Sequence, residues 1–273
     1  MCGSPIAVVA RKCLSCGEFV SSAKSPGKRR YFLSLIEWLI VCMIIAVLTA
    51  LLLPAVQQAS SGGRRDQCKD HLKHIGMALY LYHEDYGSFP PAYIADKNGR
   101  PMHSWRVLIL PYLGQQQIYD EYRFDEPWDG PHNFKLADRI INEFNCRGNN
   151  RGIALPATPM TSYVAVVGQD TAWPGETPAK LVDFADGTDH TLLVVETNNS
   201  RIHWMAPRDL QMSQIDPTIN SKSSPGISSI HGGAQALFAD GHMEFLSNSL
   251  PASTIQALLT RSGGEFVGDL WAR

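Results

Sequence analysis

LSLIEWLIVCMIIAVLTALLL, residues 33–53, is an apolar run of 21 residues whose one charged side chain is Glu37. A bilayer core about 30 Å thick is crossed by roughly 20 helical residues at ~1.5 Å each. The run is therefore read as a single membrane-spanning helix. A carboxylate in such a segment costs several kcal/mol unless it finds a partner, which makes Glu37 a candidate functional residue. Lys24, Lys28, Arg29 and Arg30 stand just upstream and favour a cytoplasmic N-terminal side. Everything beyond the run is then expected on the far side of the inner membrane, in a single-pass protein whose C-terminal domain is periplasmic or extracellular. The run is too long for an ordinary signal-peptide core, and no small-x-small cleavage site follows it, so the helix is expected to stay as an anchor.

The 273 residues leave room for this helix and a domain of roughly 180 residues, enough to bury a core. A net charge of −2 conceals an asymmetry: residues 1–32 carry six Lys/Arg against one Glu, and the remainder 18 against 25 acidic residues. Outside the leader no basic face remains for nucleic acid. Three cysteines (Cys2, Cys13, Cys16) lie in the leader, Cys42 in the apolar run, and Cys68 and Cys146 in the exported part. An even pair in an oxidising compartment reads as a disulfide tying the helix to the domain; two buried free thiols are the competing reading. Cys13-Leu-Ser-Cys16 offers half a zinc knuckle without the fourth ligand that tetrahedral zinc requires, and an incidental CxxC in the leader is the simpler reading.

Helical periodicity resumes after the apolar run at Cys68, Leu72, Ile75, Leu79 and Tyr82, a stripe that needs a partner surface. Interruptions are expected at Pro54, which lacks an amide donor, and at Ser60-Ser61-Gly62-Gly63. Gly87 and Pro90-Pro91 end the pattern. The organisation is thus a leader (1–32), a long transmembrane and pilin-like helix (33–86) and a head (87–273). Short helices or turns are expected over 105–112 and 115–122, strands over 162–167 and 191–196, and a helix over 251–259. Ala239-Asp240-Gly241 is read as the turn of a hairpin joining strands 234–238 and 242–246, and Asp186-Gly187 as a further turn. Residues 207–226 are polar and patternless and read as a long loop. The fold class is α+β, a long N-terminal helix packed on a small antiparallel-sheet head.

Several of these segments together resemble a known family. Lys28-Arg29-Arg30, Leu33-Ser34-Leu35-Ile36-Glu37 and Leu51-Leu-Leu-Pro-Ala-Val-Gln57 resemble the prepilin-type cleavage and methylation segment of pseudopilin-like proteins. The similarity continues through Cys68 to Gly76, Tyr86 to Pro91, Ser104 to Tyr112, Phe124-Asp-Glu-Pro-Trp128 and Asp186-Gly-Thr188. It ends with His231-Gly-Gly233, Phe238-Ala-Asp-Gly241 and Gly263-Gly-Glu265, which resemble the "H-X9-DG" processing-associated region of the same functionally undefined family. The resemblance implies a membrane-anchored, non-enzymatic envelope protein without cofactor. It also implies dealings with a prepilin peptidase and with copies of itself or other pseudopilins in a secretion or pilus-like assembly. Two departures stand out. Phe32 occupies the position of the glycine before the scissile bond, whose other side would be Leu33. Eight residues, not nine, separate His231 from Asp240. In processed subunits of this kind the Glu at the place of Glu37 pairs with a neighbour's free amine; without cleavage Glu37 is left protonated or reaching for the interface.

Candidate chemistry is sparse. No nucleophile elbow, zinc-protease helix, phosphate loop or dinucleotide fingerprint occurs. His231, Asp240, His242 and Glu244 form the best acid–base cluster, and an envelope hydrolase built on His231 and Asp240 is the weakest of the competing readings. Asp186 and Asp240 are conceivable calcium ligands, although an Asp-Gly pair between strands is above all a turn. Trp105, Tyr112, Tyr122, Phe124 and Trp128 read as core or loop anchors, with a sugar-stacking platform as the competing reading. That reading supplies the alternative function: a helix-anchored extracytoplasmic ligand- or glycan-binding protein.

Overall fold

The structure is a computed structural model that describes residues 35–146, 159–198, 201–222 and 226–265, with the backbone alone at 51–64. Phe32, Leu33 and the leader cysteines lie outside the described residues. Two compact units divide the chain, Met1–Ala55 and Val56–Arg273. The second half of the long helix therefore belongs with the head, which begins about thirty residues earlier than the expected boundary at 87.

Helix α1 spans Leu35–Tyr86 and is continuous through Pro54 and residues 60–63, where interruptions were expected. One proline removes a single intrahelical hydrogen bond, and two adjacent glycines weaken a helix by only about 1 kcal/mol each, so neither has to end it. In the first unit, residues 35–48 expose apolar side chains on every side, Leu35 at 86% and Ile36 and Leu39 at 69%. Among the described residues no helix is long and apolar enough to cross a membrane. The described side chains of the run, 35–50, are fewer than the roughly 20 that a span requires.

Within the second unit, Cys68, Leu72, Ile75 and Leu79 form a fully buried stripe on one face of α1. Gly76 lets that face come close to the sheet, since a Cβ there would stand 3.0 Å from Leu237 Cδ1. The helix closes at Gly87, whose φ of +72° and bond from its amide to the His83 carbonyl (2.8 Å) make a left-handed cap.

The head is built on a four-stranded antiparallel sheet in the order β3 (Tyr163–Val164), β5 (Leu192–Glu196), β7 (Gly233–Phe238), β8 (Met243–Ser247). Both faces are covered. Tyr163, Leu193, Val194 and Leu237 join the cluster that contains the α1 stripe, Trp105, Trp173 and Trp204. Val164, Leu192, Val195, Ala236, Phe238 and Leu246 join a second cluster with Ile255, Leu258 and Leu259 of the C-terminal helix, Ala252–Leu259. Leu193 and Val194 share a face although adjacent, because the β5–β7 register shifts between Leu192 and Val194. Burial on both faces is why the 191–196 segment reads as continuous apolar sequence rather than alternation.

Three departures from the expected layout place the candidate site. A hairpin of β1 (Tyr93–Ala95) and β2 (Pro101–Ser104) precedes helix α2, Trp105–Leu108. The 162–167 segment breaks into β3 and β4 (Val166–Val167) at Ala165, whose amide donates to Asp209 instead of a ladder partner. The 207–226 segment is not wholly loop: β6, Leu210–Gln211, pairs in parallel with β4.

Candidate functional site

A cleft of about 710 Å³ opens in the head beside the β4–β6 ladder, walled by Tyr93, Trp128 and His203 and rimmed by Arg201, Arg208 and Gln211. Its volume falls within the ~300–1,000 Å³ usual for ligand clefts. A second lobe of about 580 Å³ shares Tyr93, Val167 and Gln211 with it and adds Gln169, Asp170, Thr171, Ser213, Gln256 and Thr260.

The floor is held by a buried ion pair. Arg106 on α2 and Asp209 before β6 are both enclosed, and their Nη2 and Oδ1 atoms are in direct contact. The Arg106 Nε and Nη2 donate to the Tyr163 carbonyl at 3.2 and 3.1 Å, and Nη1 donates to Ser104 Oγ at 3.1 Å. Asp209 also accepts from Trp105 Nε1 at 3.2 Å and from the Ala165 amide at 2.8 Å. Complete burial raises the Asp209 carboxyl, and Arg106 with the other donors opposes that rise. With Asp209 turned inward and Arg208 exposed, this pair fixes which side chains of 207–211 face the cleft.

Trp128 reaches the wall through a clamped loop. Buried Asn133 accepts from the Arg123 amide (2.8 Å), and its Nδ2 donates to the Arg123 and Pro127 carbonyls (2.7 and 3.1 Å). Glu126 Oε1 accepts the amides of His132 and Asn133 (2.8 and 2.6 Å). Beneath the loop, His103 bonds Tyr122 Oη at 2.8 Å and the Phe124 carbonyl at 3.2 Å. The Phe124-Asp-Glu-Pro-Trp128 motif is thus a bracket for one indole. That ring stacks on His203 (5.4 Å between centroids, 30° between planes). His203 Nδ1 accepts from the Met205 amide at 3.1 Å, so Nε2 carries the hydrogen donated to the Ala137 carbonyl at 2.9 Å. Burial lowers the pKa of His203, in keeping with this neutral tautomer.

Arg201 has a φ of +52°, a backbone conformation that L-residues seldom adopt. Arg208 Nη2 donates to the Arg201 carbonyl at 3.3 Å, which sets both guanidinium-bearing residues on one rim. Among the described residues neither arginine makes an ion pair.

The residues singled out from sequence lie elsewhere. Glu37 is exposed in the first turn of α1. Cys68 and Cys146 are bonded, their Cα atoms 5.1 Å apart. Their sulfurs and a Glu196 carboxylate oxygen lie within 4.8 Å of one another, but sulfurs joined to each other are not thiolate ligands for a metal. His231 and Asp240 stand beyond opposite ends of β7, whose six residues at about 3.3 Å each separate them by about 20 Å. No shared acid–base step can join them. Asp240 Oδ1 accepts from the His242 amide (2.9 Å) and ring Nδ1 (2.6 Å) inside the turn. Gly241, at φ +92°, faces the ring of Tyr80, whose hydroxyl donates to the Ala239 carbonyl. Asp186 accepts the amides of Gly263 and Gly264 at 2.7 and 2.9 Å, so Gly263-Gly-Glu265 and Asp186-Gly-Thr188 are halves of one clasp. Both carboxylates offered for calcium are engaged in holding turns. His242 stands just before β8, and its ring stacks on Phe238 at 4.2 Å.

Sequence reasoning passed over Arg106, Arg201, Asp209 and His203. A signal existed for the first: an arginine inside Ser104-Trp-Arg-Val-Leu-Ile-Leu110 is a charge in an apolar run and asks for a buried partner. A family model described as "Protein of unknown function (DUF1559)" matches residues 57–253, and no curated protein and no solved structure matches the chain.

Proposed function

The chain belongs to the DUF1559 family, that of the H-X9-DG, pseudopilin-like architecture, and from this premise we propose that it is a membrane-anchored, non-enzymatic envelope protein whose head lies outside the cytoplasm. The observation that carries the reading is the contrast along α1. Residues 35–48 leave large apolar side chains uncovered all round, whereas the stripe from Cys68 to Leu79 is core. A helix apolar on every side needs an apolar surrounding. The +5 leader supplies the orientation. The protein should remain with membranes after an alkaline wash, and a reporter fused after Ala59 should work only if it functions outside the cytoplasm. Release into the soluble fraction, or activity of a cytoplasm-only reporter at that point, would sink the proposal.

A second reading is favoured by the cleft: the anchored head holds a glycan or similar envelope ligand against Trp128. It stands or falls on whether any oligosaccharide, neutral or charged, is bound in a Trp128-dependent way.

A further inference from the structure

We propose that the cleft binds an anionic glycan, an oligosaccharide bearing carboxylate or sulfate groups, with its charge at Arg201 and Arg208 and a sugar ring against Trp128. The inference rests on the glycan-binding reading and adds the ligand's charge and its orientation.

Four observations support it. First, the lobe rimmed by Arg201 and Arg208 has one carboxylate in its lining, Asp209, and that group is enclosed and bound to Arg106. Two guanidiniums with no ion-pair partner among the described residues are forks suited to a planar carboxylate or a sulfate. Second, the rim is built rather than incidental: Arg201 is held in a left-handed backbone conformation and its carbonyl is tied to Arg208. Rare conformations of this kind gather at binding sites. Third, Trp128 is half-buried, backed by His203 and locked by Asn133 and Glu126, so a ring surface stands ready at little ordering cost. Fourth, the second lobe shares Tyr93 and Gln211 with the first and presents the exposed polar side chains of Gln169, Ser213 and Gln256. A small anion would fill one end of such a groove. An oligosaccharide fills both, its hydroxyls meeting those polar groups. Asp170 in the second lobe repels an anion there, which directs the charged sugar to the arginine end.

The test uses the full chain in neutral-lipid nanodiscs and titration calorimetry with four probes: a galacturonate hexasaccharide, a heparin-derived hexasaccharide, cellohexaose and polyglutamate. Saturable binding of one or both charged saccharides, weakened by salt, with little binding of the other two, is expected. The galacturonate and heparin arms separate carboxylate from sulfate recognition. Arg201→Ala/Arg208→Ala and Trp128→Ala should each weaken binding tenfold or more, and Trp128→Phe should restore most of it. Arg201 and Arg208 are exposed, so the double variant should melt like the parent. Cellohexaose bound as well as the charged probes, with no effect of the arginine substitutions, would overturn the charge assignment while leaving the glycan reading standing. Polyglutamate bound equally, with Trp128→Ala silent, would reduce the site to a charge patch and overturn the proposal. Binding of no saccharide would overturn both readings.

Discussion

Glu196, the last residue of β5, is fully buried beside the Cys68–Cys146 bond, with one carboxylate oxygen accepting the Gln235 amide at 3.0 Å and the other without a hydrogen-bond partner among the described residues. Burial pushes its carboxyl up to about 7, against a smaller opposing pull from the Gln235 backbone amide, the Arg65 charge and the Ser229 side chain. The folded protein therefore keeps a proton that the unfolded chain releases above its ordinary value of 4.5. Stability from this group is full below that value and is lost as pH rises to about 7, by up to about 3 kcal/mol. His103 and His203 act the other way: burial lowers both below 6.5, so they favour the folded state as pH rises. For this reason the wild-type curve alone is ambiguous. Denaturant unfolding of Glu196→Gln against wild type should show the variant gaining stability at pH 8 relative to pH 5. An equal difference at both pH values would contradict the protonated, buried carboxyl. Of these three residues none stood out in the sequence, because each is bonded by a group 19 to 66 residues away along the chain.

At the scale of elements, the second half of α1 is held to the head by side-chain packing and by one covalent bond. Cys68 lies in the buried stripe; Cys146 follows the 3-10 turn Asn142–Phe144, 78 residues along the chain. The Cys68 carbonyl also accepts the Tyr163 hydroxyl at 2.7 Å, tying the same turn of helix to β3. Closing so long a loop restricts the unfolded chain, and removing the bond typically costs about 2–4 kcal/mol. Cys68→Ala/Cys146→Ala should lower unfolding stability by that amount without moving the helix, whose Leu72, Ile75 and Leu79 stay buried. Peptide mapping without reductant should recover the linked pair; both thiols found freely alkylated would refute the bond. The stripe was legible from its 3.6-residue period. The β4–β6 ladder was not, since two-residue strands are too short to show alternation and their pairing is decided by Asp209 reaching Ala165.

For the molecule as a whole, the position before Leu33 decides between a processed subunit and a retained anchor. By resemblance to prepilin-type segments, Phe32 stands where a peptidase pocket expects glycine, while the upstream basic residues and Glu37 keep their usual distances. A bulky ring in a pocket shaped for a hydrogen is rejected sterically. Mass spectrometry of the native protein should therefore find the leader retained, and Phe32→Gly co-expressed with a prepilin peptidase should yield chains beginning at Leu33. A native N-terminus at Leu33 in the unmutated protein would reverse this and favour assembly through Glu37. The apolar run, the helical stripe from Cys68 to Leu79, the turn at Asp240-Gly241 and the α+β class follow from the sequence by itself, because each depends on residues a few positions apart and on their period. The Arg106–Asp209 pair, the loop clamp that aims Trp128 and the arginine rim of the cleft were decided by the tertiary structure. Their partners are brought together from segments without any period of their own, up to 103 residues apart for Arg106 and Asp209, and such pairing is set by which charges and rings the closed core encloses.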